Sequence, residues 1–141
     1  MPTYATPLKE GKKMKSESER MFQALEYMRS VSNRPRLEVQ QLSILLKLNG
    51  LRSAVTMQDL AKMTPGTSQS IISRNSHGFA SKSKPGARRL IEIRVSDEDV
   101  RFRTVGLTAD GREILATFLG IADGTMSVPA GIRPAVDSRT L

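Results

Sequence analysis

The sequence contains neither cysteine nor tryptophan, and its aromatic content is only 4%. The absence of cysteine excludes disulfide bonds, thiolate metal sites and thiol redox sensing. The low aromatic content argues against a large aromatic-lined ligand pocket. No apolar run approaches the roughly 18 residues of a membrane-spanning helix, and the first residues lack the apolar core of a signal peptide. We therefore expect a soluble cytoplasmic protein with no membrane partner.

Patterns that support catalysis or metal binding are also missing. The chain has a single histidine, His77, which cannot supply both a general base and a metal site. The spacings of a nucleophile elbow, a P-loop or a zinc-protease helix do not occur. The contiguous carboxylates of Asp97, Glu98 and Asp99 are typical of a solvated turn. We therefore expect neither an enzyme nor a bound cofactor or metal.

Negative charge is absent from one long stretch. No Asp or Glu lies between Asp59 and Glu92, although the whole chain contains 14. The formal net charge is +8. Such a balance indicates a polyanionic partner, namely nucleic acid, an anionic membrane surface or an acidic protein. Residues 61–91 provide most of the excess, through Lys62, Arg74, Lys82, Lys84, Arg88 and Arg89.

Hydrophobic periodicity predicts a flexible basic arm over residues 1–18, one domain over 19–119 and a mostly irregular tail over 120–141. Leucines 42, 45, 46 and 48 are expected in the core. The predicted elements are helices near 21–31, 37–48, 56–64, 69–77 and 108–119, with a hairpin of strands 90–95 and 101–107. Thr56 and Thr108 are expected to cap helices, Thr67 or Ser68 to cap the fourth, and Gly78 to end it.

This order of elements predicts a winged helix-turn-helix, mainly α with a small antiparallel β-hairpin, in which residues 56–107 form the helix-turn-helix and the wing. The break at Pro65 and Gly66 is the turn. The fourth helix exposes Gln69, Ser70, Ser73, Arg74 and His77 on its non-apolar face. Gln and Arg can pair bidentately with base edges, and Ser can reach bases or phosphates. A histidine at a helix end, such as His77, is more often simply solvated or interacting favourably with the helix dipole.

Residues 56–115 resemble the DNA-binding core of the MarR-type (multiple-antibiotic-resistance regulator) proteins. The similar segments are "TMQDLAK", "SQSIISR", the D-x-R motif at Asp99 and Arg101, and "LTADGREIL". The resemblance implies that Gln69, Ser70, Ser73 and Arg74 enter the major groove. It also implies that Arg101, oriented by Asp99, reaches the minor groove from the wing. Dimerisation through terminal helices is a further expectation from the family.

The sequence thus predicts a homodimeric, nucleoid-associated transcription regulator, more specifically a repressor, that binds double-stranded DNA with helix 68–77 and a basic wing. Lys82, Lys84, Arg88 and Arg89 are expected to contact phosphates. Two alternatives stay open. One is a winged-helix protein of replication, packaging or DNA architecture with low base specificity, and the other is an adaptor that binds an acidic partner protein. The sequence identifies no small-molecule effector.

Overall fold

A computed structural model describes residues 15–51, 53–80 and 88–132 of the chain. Over these residues the structure confirms the predicted class, mainly α with a small antiparallel sheet. The elements are α1 (Glu17–Val31), α2 (Val39–Gly50), β1 (Val55–Thr56), α3 (Met57–Met63), α4 (Gln69–Ala80), β2 (Ile91–Val95), β3 (Arg103–Leu107) and α5 (Ala109–Asp123).

Besides α4, whose cap is described below, three helices begin at a hydroxyl side chain that accepts a hydrogen bond from the backbone N–H three residues later. Ser16 Oγ accepts from Glu19 at 3.1 Å, and Thr56 Oγ1 accepts from Asp59 at 3.0 Å. Thr108 Oγ1 accepts from the N–H of Gly111 at 2.9 Å. Each such cap stabilises a helix by about 1 kcal/mol because it satisfies a backbone donor that the helix leaves free. The predicted caps at Thr56 and Thr108 are confirmed.

The sheet has the strand order β1-β3-β2, and both pairings are antiparallel. In the hairpin, Ile93 lies opposite Val105, and β1 places Val55 on the other side of the same residue. The hairpin was predicted, but β1 was not. A strand of two residues is too short to show an alternating pattern in sequence.

The core lies between the helices and the inner face of the sheet, and α1 packs along α5. At one end of this pair, Arg20 Nε donates to the carbonyl of Ala122 at 3.2 Å. The leucine prediction for α2 was partly wrong, because Leu46 is 36% exposed and Ile44 is fully buried in its place. The buried apolar side chains are Ala24, Tyr27, Met28, Ile44, Leu45, Leu48, Met57, Leu60, Ile72, Phe79, Leu90, Ile91, Val105, Leu107, Ile114, Leu115, Phe118 and Ile121.

Three helices extend beyond their predicted ends, and α2 does so by two residues, to Gly50. Helix α4 continues to Ala80, so Gly78 lies inside it and does not end it. Helix α5 continues past Gly120 to Asp123 and ends at Gly124, whose φ of 86° is the left-handed conformation that favours glycine. Gly120 instead packs closely against Met126, since a Cβ there would lie 2.5 Å from Met126 Sδ and the methionine side chain would have to move. Residues 1–14 and 133–141, which include most of the predicted arm and part of the tail, lie outside the described residues.

Candidate nucleic-acid interface

Helix α4 begins directly after the turn at Pro65 and Gly66. Ser68 Oγ accepts a hydrogen bond from the N–H of Ile71 at 3.3 Å, so this hydroxyl caps the helix. The side chain of Ser68, predicted to contact DNA, therefore already has a structural role. It remains exposed at the N-terminus of α4, where free backbone N–H groups favour a phosphate.

The remaining side chains of α4 divide into two faces. Ile72, Ser76 and Phe79 point into the core and are at most 3% exposed. Gln69, Ser70, Arg74 and His77 are exposed, and Ser73 is half-buried. At 3.6 residues per turn, Ser70, Arg74 and His77 lie opposite the buried face, with Gln69 and Ser73 on the side between. The polar groups predicted to contact bases therefore share one accessible surface.

The wing, which is the β2–β3 hairpin over residues 91–107 with its tip at 96–102, faces the same side of the molecule as α4. A concave surface of about 230 Å³ lies between the helix and the wing, and we call it the helix–wing cleft. The residues that line it are Met57, Gln58, Gln69, Ser73, His77, Arg101, Phe102 and Arg103. The structure thus brings together four of the predicted site residues, Gln69, Ser73, His77 and Arg101.

Sequence reasoning missed four residues of this cleft. Arg103 had a detectable signal, because side chains two positions apart on a strand share a face and Arg101 was already a candidate. Phe102 gave no such signal, because it directly follows Arg101 in a predicted strand and its neighbours on a strand point to the opposite face. Its side chain is 37% exposed, with the Arg101 guanidinium 5.9 Å from its centroid. Met57 and Gln58 reach the cleft from the first turn of α3, which only the tertiary arrangement shows.

Asp99 and Arg101 form a preorganised pair at the tip of the wing. Arg101 Nη2 donates to Asp99 Oδ2 at 2.7 Å, and Arg101 Nε donates to Oδ1 at 3.0 Å. The backbone N–H of Arg101 also donates to Asp99 Oδ1 at 3.0 Å. The side-chain bonds first, and then the backbone bond, lower the pKa of Asp99, while the carboxylate raises the pKa of Arg101. Since the carboxyl pKa is lowered, the pair is intact at neutral pH and is lost only as the pH falls through that lowered value.

The wing is not basic as a whole, which corrects the sequence-based prediction. Within 91–107, Arg94, Arg101 and Arg103 stand against Glu92, Asp97, Glu98 and Asp99. Arg94 Nη2 pairs with Glu92 Oε1 at 2.6 Å, so two of the four carboxylates are already bound to arginines of the wing. The positive excess of the middle of the chain therefore belongs to α4 and the segment that follows it.

The junction between α4 and the wing is fixed through Leu90. Its N–H donates to the carbonyl of Phe79 at 3.1 Å, and its carbonyl accepts from the N–H of Thr108 at 3.1 Å. Gly111 packs against the same carbonyl so closely that a Cβ there would lie 2.3 Å from the Leu90 oxygen. The preceding Arg88 and Arg89 are exposed. Lys82 and Lys84, the other predicted phosphate contacts, lie outside the described residues.

The loop between α1 and α2 also supports α4. The guanidinium of Arg34 lies 4.3 Å from the ring centroid of Phe79, a cation–π contact. Burial lowers the pKa of Arg34 below its ordinary value. From α2, Gln41 Nε2 donates to Asn75 Oδ1 at 3.4 Å. These contacts hold the inner side of α4 and leave its outer face to solvent.

Two other kinds of site were searched for in the described residues. No group of three or more His, Cys, Asp or Glu side chains there could hold a metal ion. None of the helices in that part of the chain is long and apolar enough to cross a membrane.

Three solved structures share the architecture of this chain. MepR of S. aureus, crystallised in complex with DNA, is 22% identical over 76% of each chain, with a TM-score of 0.58. MarR is 16% identical over 74% of this chain and 72% of its own, with a TM-score of 0.52. BpsR of Bordetella bronchiseptica, whose DNA binding is regulated by 6-hydroxynicotinic acid, is 24% identical over 82% of this chain and 79% of its own, with a TM-score of 0.50.

Comparison at the level of sequence adds nothing to this, because no protein-family model and no curated protein sequence matches the chain. The resemblance therefore lies in the arrangement of helices and strands and in the similar segments of the sequence. The chain has the winged-helix fold of the MarR-type regulators.

Proposed function

We propose that this protein is a transcription regulator that binds double-stranded DNA sequence-specifically as a homodimer. Helix α4 would enter the major groove, and the wing would place Arg101 in the adjacent minor groove. Repression would follow from occupation of the site, which blocks other proteins from the same DNA. The chain would thus act through binding, with no chemical step.

The helix–wing cleft is the observation that carries this proposal. A major groove is about 12 Å wide and admits one helix, and a wing beside that helix meets the neighbouring backbone and minor groove. Gln69, Ser73 and His77 on one wall of the cleft and Arg101 on the other offer donors and acceptors to a single duplex. The absence of acidic residues from Leu60 to Ile91 removes repulsion from the phosphates on the helix side.

Exposed apolar side chains support the homodimer. Met21 and Phe22 on α1 are 45% and 60% exposed, and Leu119 of α5 and Met126 beyond it are 40% and 46% exposed. The contact of Arg20 with Ala122 brings the start of α1 to the end of α5. We propose that a second copy covers this end of the molecule. The two α4 helices would then lie about one helical turn apart on a pseudo-palindromic site.

The fold neighbours support the same function. MepR was crystallised with DNA, and BpsR has its DNA binding regulated by a small molecule. A dimer of the present chain that neutralises about eight phosphates would lose affinity with rising salt, with a slope of log K against log salt near −7.

Selection of bound sequences from random duplex, followed by affinity measurements, tests the proposal. We expect the selected duplex to bind at least about 10³-fold more tightly than random duplex at physiological salt. Arg74→Ala should cost roughly 1–3 kcal/mol on the selected duplex and relax the consensus. The matched control Arg88→Ala should weaken binding to both duplexes equally, because a phosphate contact carries no sequence information.

If the selected duplex bound less than about 10³-fold more tightly than random duplex, the low-specificity architectural alternative would be favoured. An unchanged consensus with Arg74→Ala would contradict the assignment of α4 to base contacts.

A further inference from the structure

His77, the only histidine of the chain, has a fixed ring orientation on the DNA-facing surface of α4. It is exposed and lines the helix–wing cleft. Its Nδ1 lies 2.8 Å from the backbone carbonyl oxygen of Ser73, one turn earlier in the helix. Ser73 Oγ is 3.5 Å from the same nitrogen, at the limit of a hydrogen bond.

This contact determines which ring nitrogen carries the proton. A carbonyl oxygen can only accept, so Nδ1 must be the donor in the 2.8 Å bond. In the neutral imidazole the other nitrogen, Nε2, is then an acceptor with no hydrogen of its own. Within the described part of the chain, no group forms a hydrogen bond with Nε2, so the acceptor is available to a ligand.

Because Nδ1 is already bonded to Ser73, His77 offers a ligand only a hydrogen-bond acceptor, and it differs in this from the other polar side chains of the face. Arg74 only donates, while the amide of Gln69 and the hydroxyls of Ser70 and Ser73 can do both. In the major groove a pure acceptor pairs with an exocyclic amino group, N6 of adenine or N4 of cytosine. Carboxylates usually fill this role, but a negative side chain would be repelled by the phosphates. A neutral imidazole supplies the acceptor without that repulsion.

We propose that His77 is a specificity-determining residue that accepts a hydrogen bond from an exocyclic amino group of adenine or cytosine through Nε2. The inference rests on the proposed function, because it requires α4 to lie in a major groove. Eight residues separate His77 from Gln69, about 12 Å along the helix at 1.5 Å per residue. The amino group therefore belongs to a different base pair from the one that Gln69 contacts.

Interference with single functional groups of the DNA tests this inference on the selected duplex. Replacing adenine by 2-aminopurine moves the amino group to the minor groove, and replacing cytosine by 2-pyrimidinone removes it. Replacing purines by 7-deazapurines removes the N7 acceptor as a control. At one position of each half-site, we expect loss of the amino group to weaken binding about three- to tenfold, the size of one hydrogen bond. The deaza substitution at that position should have little effect.

Variants assign the interference to His77. In the His77→Ala variant, removal of the amino group at that position should no longer weaken binding. In the matched control Ser70→Ala, it should weaken binding as much as in the wild type. With His77→Gln the penalty should persist, because the amide oxygen can still accept. A penalty from the deaza substitution in place of the amino substitution would mean that the ring donates, and would overturn the inference.

The same data separate this inference from the proposed function. If Arg74→Ala relaxes the consensus while His77→Ala leaves every interference position unchanged, only the role of His77 is wrong. If no sequence is selected over random duplex, the proposed function fails first.

Discussion

Helix α4 and the wing form the two walls of one cleft, yet their charges are arranged in opposite ways. The exposed face of α4 has no carboxylate. Within the described residues, the side chains of Gln69 and Arg74 form no hydrogen bond, and His77 uses only Nδ1. The wing carries four carboxylates and three arginines, and two of the carboxylates are already paired with arginines. The helix therefore offers free donors and acceptors, whereas two of the three arginines of the wing are held by carboxylates, and of these two Arg101 lines the cleft.

This difference indicates a division of labour on DNA. Side chains with free hydrogen-bonding groups can distinguish base pairs, so most of the sequence dependence should come from α4. An arginine fixed by a carboxylate loses little conformational entropy on binding, so Arg101 should mainly set position and register. On the proposed function, net positive charge alone would not identify the wing as part of the interface.

The largest effect is expected where the two walls are joined. A Cβ at Gly111 would lie 2.3 Å from the carbonyl oxygen of Leu90, which links α4 to the wing, and the backbone would have to move. We expect Gly111→Ala to lower the free energy of unfolding by about 2–3 kcal/mol. Denaturant unfolding measures this change. We also expect the folded variant to bind DNA less tightly than the wild type, because the positions of α4 and the wing would shift. Wild-type stability in the variant would show that the close packing at Leu90 is not required.

A smaller effect is expected from release of Arg101. Asp99→Asn removes the charge that holds the guanidinium, so the ratio of affinities for selected and random duplex should fall about three- to tenfold. The matched control Glu92→Gln removes the same charge from the Arg94 pair and should leave the ratio unchanged. Anisotropy titrations with both duplexes measure the two ratios. Equal ratios in both variants would mean that Asp99 acts only through its charge.

The smallest effect is expected from the carboxylates of the wing that have no ion pair within the described residues, those of Asp97 and Glu98. The double variant Asp97→Asn, Glu98→Gln removes repulsion from nearby phosphates. We expect affinity to rise about two- to fivefold for selected and random duplex alike, with a larger gain at low salt. A titration series at two salt concentrations would detect the change. A gain on only one of the duplexes would place these side chains in contact with bases.

Local signals in the sequence were sufficient for most of the fold. Caps at Thr56 and Thr108 and the alternation of the hairpin act over a few residues, so they are visible without a structure. The end of α5 was not, because Gly120 is a glycine for packing against Met126 and the stop is Gly124. Strand β1 depends on its pairing with β3, a contact between residues far apart in the sequence.

The candidate site was predictable only as a set of residue types. The face of α4 followed from helical periodicity, and Arg101 followed from the resemblance at the D-x-R motif. The position of the proton on the His77 ring could not be predicted, since it depends on a hydrogen bond to the carbonyl of Ser73. The pairing of Arg101 with Asp99 was expected from the resemblance, whereas that of Arg94 with Glu92 was not, so the wing was predicted to be basic. Only the distance between Arg94 and Glu92 shows that they neutralise each other.

The central claim is that α4 and the wing contact adjacent grooves of one duplex, and affinity cleavage tests it most directly. Because the chain has no cysteine, a single Ser70→Cys or Val100→Cys variant can carry an iron chelate at one defined place on the helix or on the wing tip. On the selected duplex, the label at position 70 should cut with the 5′ stagger of the major groove. The label at position 100, where the native side chain is 76% exposed, should cut with the 3′ stagger of the minor groove, about half a helical turn away. Cleavage by both labels in the same groove, or none from the wing, would contradict the account.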